Sequence, residues 1–183
     1  MPQFEFDVEL LFLILRNVVI VIIALYLLAV VFDVIFVVSF SSILSRHEHD
    51  LYLTLVNKKD NLDRLLALLN KHSVKLDKKS IAPLEEFDLK VIEHQDGEEA
   101  KKAREDLTMV SEYLLLTSRS DKKISDSEEF IELSASIDEV EKVYRQHVLL
   151  YNADVLGYNF WISFIPTAYI YKIIKKKKKD IIS

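Results

Sequence analysis

The sequence predicts an all-α protein, with an N-terminal transmembrane helix continuing into an antiparallel bundle of about four helices, one of them very long. Three observations predict it. Residues 10–40 are almost wholly apolar, broken only by Arg16, Asn17, Asp33 and Ser39. From Phe130 to Ile162 the apolar and aromatic residues recur in steps of 3 and 4, which keeps one helix face apolar for roughly nine turns, about 50 Å. Only 2 glycines and 3 prolines are present in 183 residues, too few breakers for many short elements. On this reading residues 1–9 form a short acidic segment, 10–40 the membrane helix, 41–166 a cytoplasmic helical bundle and 167–183 a basic tail.

The apolar run reaches the roughly 20 residues a bilayer core requires once Arg16 or Asp33 sits near an interface. A cleaved signal peptide does not fit, because the run is too long and no small-residue cleavage site follows it. No breaker occurs between Leu10 and Ser73, so the helix is expected to continue past the membrane, with Ser39, Ser41 and Ser42 as the place for a kink. Beyond them the pattern turns amphipathic. Leu51, Leu55, Leu62, Leu65, Leu66 and Leu69 face inward, while Lys58, Lys59, Asp60, Asp63 and Arg64 supply a wet face.

His72 to Ser80 reads as a lysine-rich loop. Ser80 is expected to cap a helix with Pro83 in its first turn, running through Leu84, Phe87, Val91 and Ile92 to an Asp96-Gly97 turn. The next helix should run from about Glu98 to Ser118 with Ala100, Ala103, Leu107, Val110 and Leu114 inward, and Ser118 to Ser125 should be a polar connection. Ser125 or Ser127 is suited to cap the long helix, with Glu128 and Glu129 favourable in its first turn, and Pro166 ends or bends it.

Within the long helix, Tyr151-Asn152-Ala153-Asp154-Val155-Leu156-Gly157-Tyr158-Asn159, followed by Ile165-Pro166, resembles the YN-x-x-V-x-x-YN and Phe-Pro signature of the LemA family. Phe130, Leu133 and Ile137 look like that family's F-x-x-L-x-x-x-L, and Leu55–Leu62 is similar to its basic-pair-then-Asp-Leu segment. Val148 and Arg64 depart from the pattern. The resemblance implies one membrane helix followed by a helical domain, with Tyr151, Asn152, Val155, Tyr158, Asn159 and Pro166 as signature residues. It implies no catalytic residue.

Composition narrows the function further. The absence of Cys excludes disulfide and thiolate chemistry, and the net charge of −5 speaks against nucleic acid as a partner. Two glycines cannot build a phosphate-cradling loop, and no G-x-S-x-G elbow is present. His47-Glu48-His49-Asp50 is the one cluster resembling metal ligands, but histidines two apart on a helix diverge by about 200°, so it reads as a charged collar and no metal or cofactor is expected. Asp33 is the candidate intramembrane polar site, read first as lying at the interface, which leaves Val34–Phe40 in need of a protein partner. The Tyr-Asn pairs read first as packed rings whose amides bond loops or neighbouring helices, and second as a ligand surface.

Positive charge follows the membrane helix at Arg46, Lys58, Lys59 and Arg64, which favours an N-terminus outside and a cytoplasmic domain in the cell membrane. The end of the long helix is expected to return to the bilayer without crossing it. Trp161, Phe164 and Tyr169 would lie at the interface or against Val34–Phe40, with Lys175, Lys176, Lys177, Lys178 and Lys179 at anionic headgroups. The functional expectation is a non-enzymatic, membrane-anchored scaffold or assembly subunit of the LemA type. Its partners would be the lipid bilayer, further copies of itself and an unidentified protein. The alternative is an accessory factor of an enzyme or transport system, metal-dependent or pore-forming.

Overall fold

The structure is a computed structural model and describes residues 8–93, 98–164 and 167–182. Every regular element in them is helical: α1 Val8–Lys71, α2 Lys78–Glu85, α3 Leu89–Glu93, α4 Glu98–Ser120, α5 Lys122–Ser125, α6 Glu128–Ile162 and α7 Ala168–Ile173. The expected Asp96-Gly97 turn, Pro166 and the acidic residues up to Asp7 lie outside the described residues.

α1 runs as one 64-residue helix through Ser39, Ser41 and Ser42. It ends in a Schellman cap: the Val74 N–H donates to Leu69 O at 3.1 Å and the Ser73 N–H to Asn70 O at 2.9 Å, with Ser73 at φ 56°. This turn normally takes glycine, since a side chain in the left-handed region costs about 1–2 kcal/mol. α7 ends the same way, with the Lys176 N–H on Tyr171 O at 2.9 Å and Lys175 at φ 57°.

The helix after the loop differs from expectation. Asp77, not Ser80, is the cap: its carboxylate accepts the Lys79 N–H at 3.3 Å and the Ser80 hydroxyl at 2.8 Å. Pro83 therefore sits at the sixth position of α2, not in its first turn, and the helix stops two residues later. The chain restarts at α3, where Asp88 accepts the Lys90 N–H at 2.9 Å, so the single expected helix is two. The polar connection before α6 also holds one helical turn, α5, capped by Asp121 on the Lys123 N–H at 2.9 Å. Ser127 accepts the Phe130 N–H at 3.3 Å, the cap expected for the long helix.

Two compact units divide the chain: residues 1–41 with 157–178, and 42–156 with 179–183. In the first, most side chains of α1 are exposed and apolar, and only 6% of its most apolar window is buried. Asp33 and Val37, one turn apart, are buried. In the second, one core joins Leu55, Leu62, Leu65 and Leu69 of α1, Leu84, Ile92, Leu107, Val110, Leu114, Ile124 and the α6 stripe Phe130, Leu133 and Ile137. Each fully buried side chain of this size is worth about 1.5–3 kcal/mol. Further along the α6 stripe, Val140, Tyr144 and Val148 are only half-buried, before burial resumes at Tyr151 and Val155.

Candidate functional site

In the second unit the half-buried part of α6 faces a polar row on α1. Thr54, Lys58 and Asn61 are spaced four and three apart, so they share one face of α1. All three are buried. Lys58 Nζ lies 2.8 Å from Glu141 Oε2 and donates to Thr108 Oγ1 at 3.2 Å. Asn61 Nδ2 donates to Ser136 Oγ at 3.0 Å, and Thr54 Oγ1 sits 3.3 Å from His147 Nδ1. The residue numbers fall along α6 as they rise along α1, so the two segments are antiparallel here. Lys58 corrects the sequence reading: it is 2% exposed, not part of a wet face. Its methylene stem packs while its ammonium meets acceptors on α4 and α6.

Electrostatics follow from these contacts. Burial on its own would raise the Glu141 carboxyl, but the Lys58 and Arg145 cations outweigh it and hold it below its ordinary value. One turn on, burial pushes the Tyr144 phenol up to about 12, with Arg104 opposing and Glu141 adding to the shift.

The collar segment of α1 meets the C-terminal part of α6 in the same unit. His47 Nε2 lies 3.1 Å from Asp154 Oδ2, while its Nδ1 is buried with no hydrogen-bond partner among the described residues. His49 is exposed and stacks on Tyr52 at 6.4 Å, so the two histidines diverge. Among the described residues no group of three or more His, Cys, Asp or Glu side chains is placed to hold a metal. Glu48 pairs with Lys179, and the Asn152 carboxamide bonds the main chain of Ile182 in both directions at 2.8 Å. Tyr151 and Val155 are fully buried.

In the first unit Asp33 is fully buried and accepts a hydrogen bond at Oδ2 from the Thr167 hydroxyl. Its Oδ1 and the Tyr171 hydroxyl, both buried, lie close enough to interact but do not meet hydrogen-bond geometry. Phe36 stacks on Trp161, centroids 4.6 Å apart and planes at 4°. Trp161 also meets Phe160 and Phe164 edge-on at 5.2 and 5.7 Å. α6 approaches Phe40 so closely at Gly157 that a Cβ there would stand 2.7 Å from the ring. Within Val34–Phe40 only Val37 is buried; Phe36 and Phe40 meet the end of α6, while Val34, Ile35 and Val38 stay exposed, so the protein cover expected for this segment is partial. Tyr158 is buried, Asn159 is half-buried and Tyr169 is 77% exposed.

No family model matches the chain, and no curated protein or solved structure matches it either. The assignment of roles therefore rests on geometry. Lys175–Lys178 are exposed, whereas Lys179 is partly covered and engaged with Glu48, which sets it apart from the headgroup role expected of all five. An open groove of about 490 Å³ lies between α2, α3 and α4, lined by charged residues such as Lys79, Glu86, Asp88 and Lys102 with Ala82 and Phe87. The polar side chains of the row hold helices together: Lys58 and Asn61 donate to acceptors on α4 and α6, and Thr54, whose hydroxyl donates to Asp50 O of its own helix, also meets His147, the arrangement of a structural seam rather than of a nucleophile with its base. Sequence reasoning missed the row because Lys58 reads as part of the charged wet face and Thr54 and Asn61 carry no signal on their own. The signal available was their common face, at spacing four and three.

Proposed function

We propose that the chain is a membrane-anchored, non-enzymatic scaffold or assembly subunit of the LemA type, self-associating through its helices. Its N-terminus lies outside the cell and its helical domain, an antiparallel bundle of about four helices, lies in the cytoplasm. The observation that carries the reading is the first half of α1. Leu10–Leu15 and Val18–Ile23 are each close to half exposed or more, on every side of the helix. An all-round apolar helix of this length is at ease only in lipid. A scaffold is favoured by the seam that binds α1 to α6, which gives the domain fixed helix contacts. Self-association is favoured by α6 residues Leu149, Leu150 and Leu156, exposed by 70%, 52% and 65%. The spacing of Tyr151, Asn152, Val155, Tyr158 and Asn159 supports the LemA-type reading.

Two experiments test it. Protease added to intact cells should leave the domain uncut, and digestion of the domain would reverse the orientation. Gentle detergent extraction should yield a uniform oligomer that Leu156→Glu dissociates; a monomeric wild type would remove the scaffold reading.

A further inference from the structure

A side chain in the second unit reads a stretch of main chain. The Asn152 amide donates to the Ile182 carbonyl and its Oδ1 accepts the Ile182 N–H, both at 2.8 Å. A carboxamide bound in this way stands in for the edge of a neighbouring strand: it recognises extended backbone whatever the residue. Selectivity comes from the flanks. The Ile182 side chain is 5% exposed, and three residues earlier the Lys179 ammonium meets the Glu48 carboxylate. Between these anchors Asp180 and Ile181 face outward, Ile181 with 60% of its surface exposed. The contact is short and belongs to no helix, so it opens more readily than the core beneath it.

We propose that Asn152, Glu48 and the recess under Ile182 form a peptide-binding site for an extended segment with lysine three residues before a buried aliphatic residue, and that the chain's own residues 179–182 fill it in cis. The aliphatic side chain anchors the segment, Asn152 fixes its backbone and Glu48 selects the lysine. Because the outward pair makes no part of the recognition, the site accepts any Lys-x-x-aliphatic strand that can lie extended. The tethered copy masks the site from others by its high local concentration.

The test uses the full chain in mild detergent and a fluorescent acetyl-Lys-Asp-Ile-Ile-amide, which has no net charge. A K179E/I182D variant frees the site of its own segment. By anisotropy it should bind the peptide at least tenfold more tightly than the wild type does. Adding Asn152→Ala should abolish that gain, and a peptide with Glu and Asp at the two anchor positions should not bind. A released variant that binds no better than wild type, or that ignores Asn152→Ala while remaining helical, overturns the proposal. Should the released variant fail to fold, hydrogen exchange of the wild type decides. Excess peptide should speed exchange at the Ile182 amide at least fivefold, and an unchanged rate overturns the proposal.

Discussion

Replacing Lys58 by alanine tests whether the polar row holds α1, α4 and α6 together. The lysine is 2% exposed and its ammonium sits 2.8 Å from Glu141 and 3.2 Å from Thr108. Removing one member of a buried pair costs about 3–5 kcal/mol, most of it from the partner left uncompensated. Here the partner keeps 28% of its side-chain surface in water, so solvent takes over part of that role. The loss of the packed methylene stem adds back a share, and about 2–4 kcal/mol is expected. At about 2–4 °C per kcal/mol for a chain of this size, the melting temperature should drop by roughly 5–15 °C. The assay is a thermal melt of the full chain in mild detergent, followed by far-UV circular dichroism. The acid side gives a second readout. Glu141 is held below its ordinary 4.5 in the folded chain, so its contribution is present above that pH and is lost as pH falls through the lower folded value. In Lys58→Ala that acid loss should flatten. A shift below about 2 °C, within ordinary surface-mutation range, would refute the claim that the row is structural. Replacing both partners, Lys58→Met with Glu141→Leu, should restore most of the stability, because a buried pair exchanged for apolar groups is often neutral or better.

Gly157→Ala should destabilise despite the better helix propensity of alanine. Crowding Phe40 costs about 1–3 kcal/mol against a propensity gain of about 1 kcal/mol, and a Phe40→Ala background should reverse the sign in the same melt. Tyr144→Phe should flatten the alkaline loss of stability. The unfolded phenol ionises near 10 and the folded one at about 12, so the wild type loses stability across that window while the variant, measured by alkaline unfolding, lacks this part of the slope. Ser73→Gly should stabilise by about 0.5–1 kcal/mol by relieving the left-handed residue at the end of α1, seen as a higher urea midpoint. Asp77→Ala should cost about 1 kcal/mol through the lost cap of α2, whereas Ser80→Ala should cost less, since its hydroxyl bonds only the capping carboxylate.

What was legible in the sequence was whatever rests on local periodicity. The stripe from Phe130 to Ile162 marks α6 almost to the residue, because one buried face over nine turns leaves an unambiguous pattern. The apolar run and the absence of breakers gave α1, and Ser127 followed from the rule that a hydroxyl satisfies a first-turn N–H. The misses share another cause. Lys58 reads as a surface charge because its partner is 83 residues away in sequence. The ends of α1 and α7 carry no glycine to mark them, since Ser73 and Lys175 take the left-handed position instead. Asp77 outcompetes Ser80 as a cap because a carboxylate can take an N–H and a hydroxyl at once. At the candidate site Asp33 stands out as an ionisable group in an apolar run, but its partner Thr167 is 134 residues on and reads as part of a tail.

The spacing of Lys58 and its acceptors also sets an order of events during synthesis. Thr108 follows Lys58 by 50 residues and Glu141 by 83. At roughly 5–20 residues per second, the ribosome makes the first about 2.5–10 s after the lysine and the second about 4–17 s after it. Through that interval the leucine face of α1 has no α6 to close over it. α4 is made before α6, and its Leu107, Val110 and Leu114 share one core with Leu62 and Leu65 of α1, so that core gains its α4 members before the α6 stripe of Phe130, Leu133 and Ile137 can complete it.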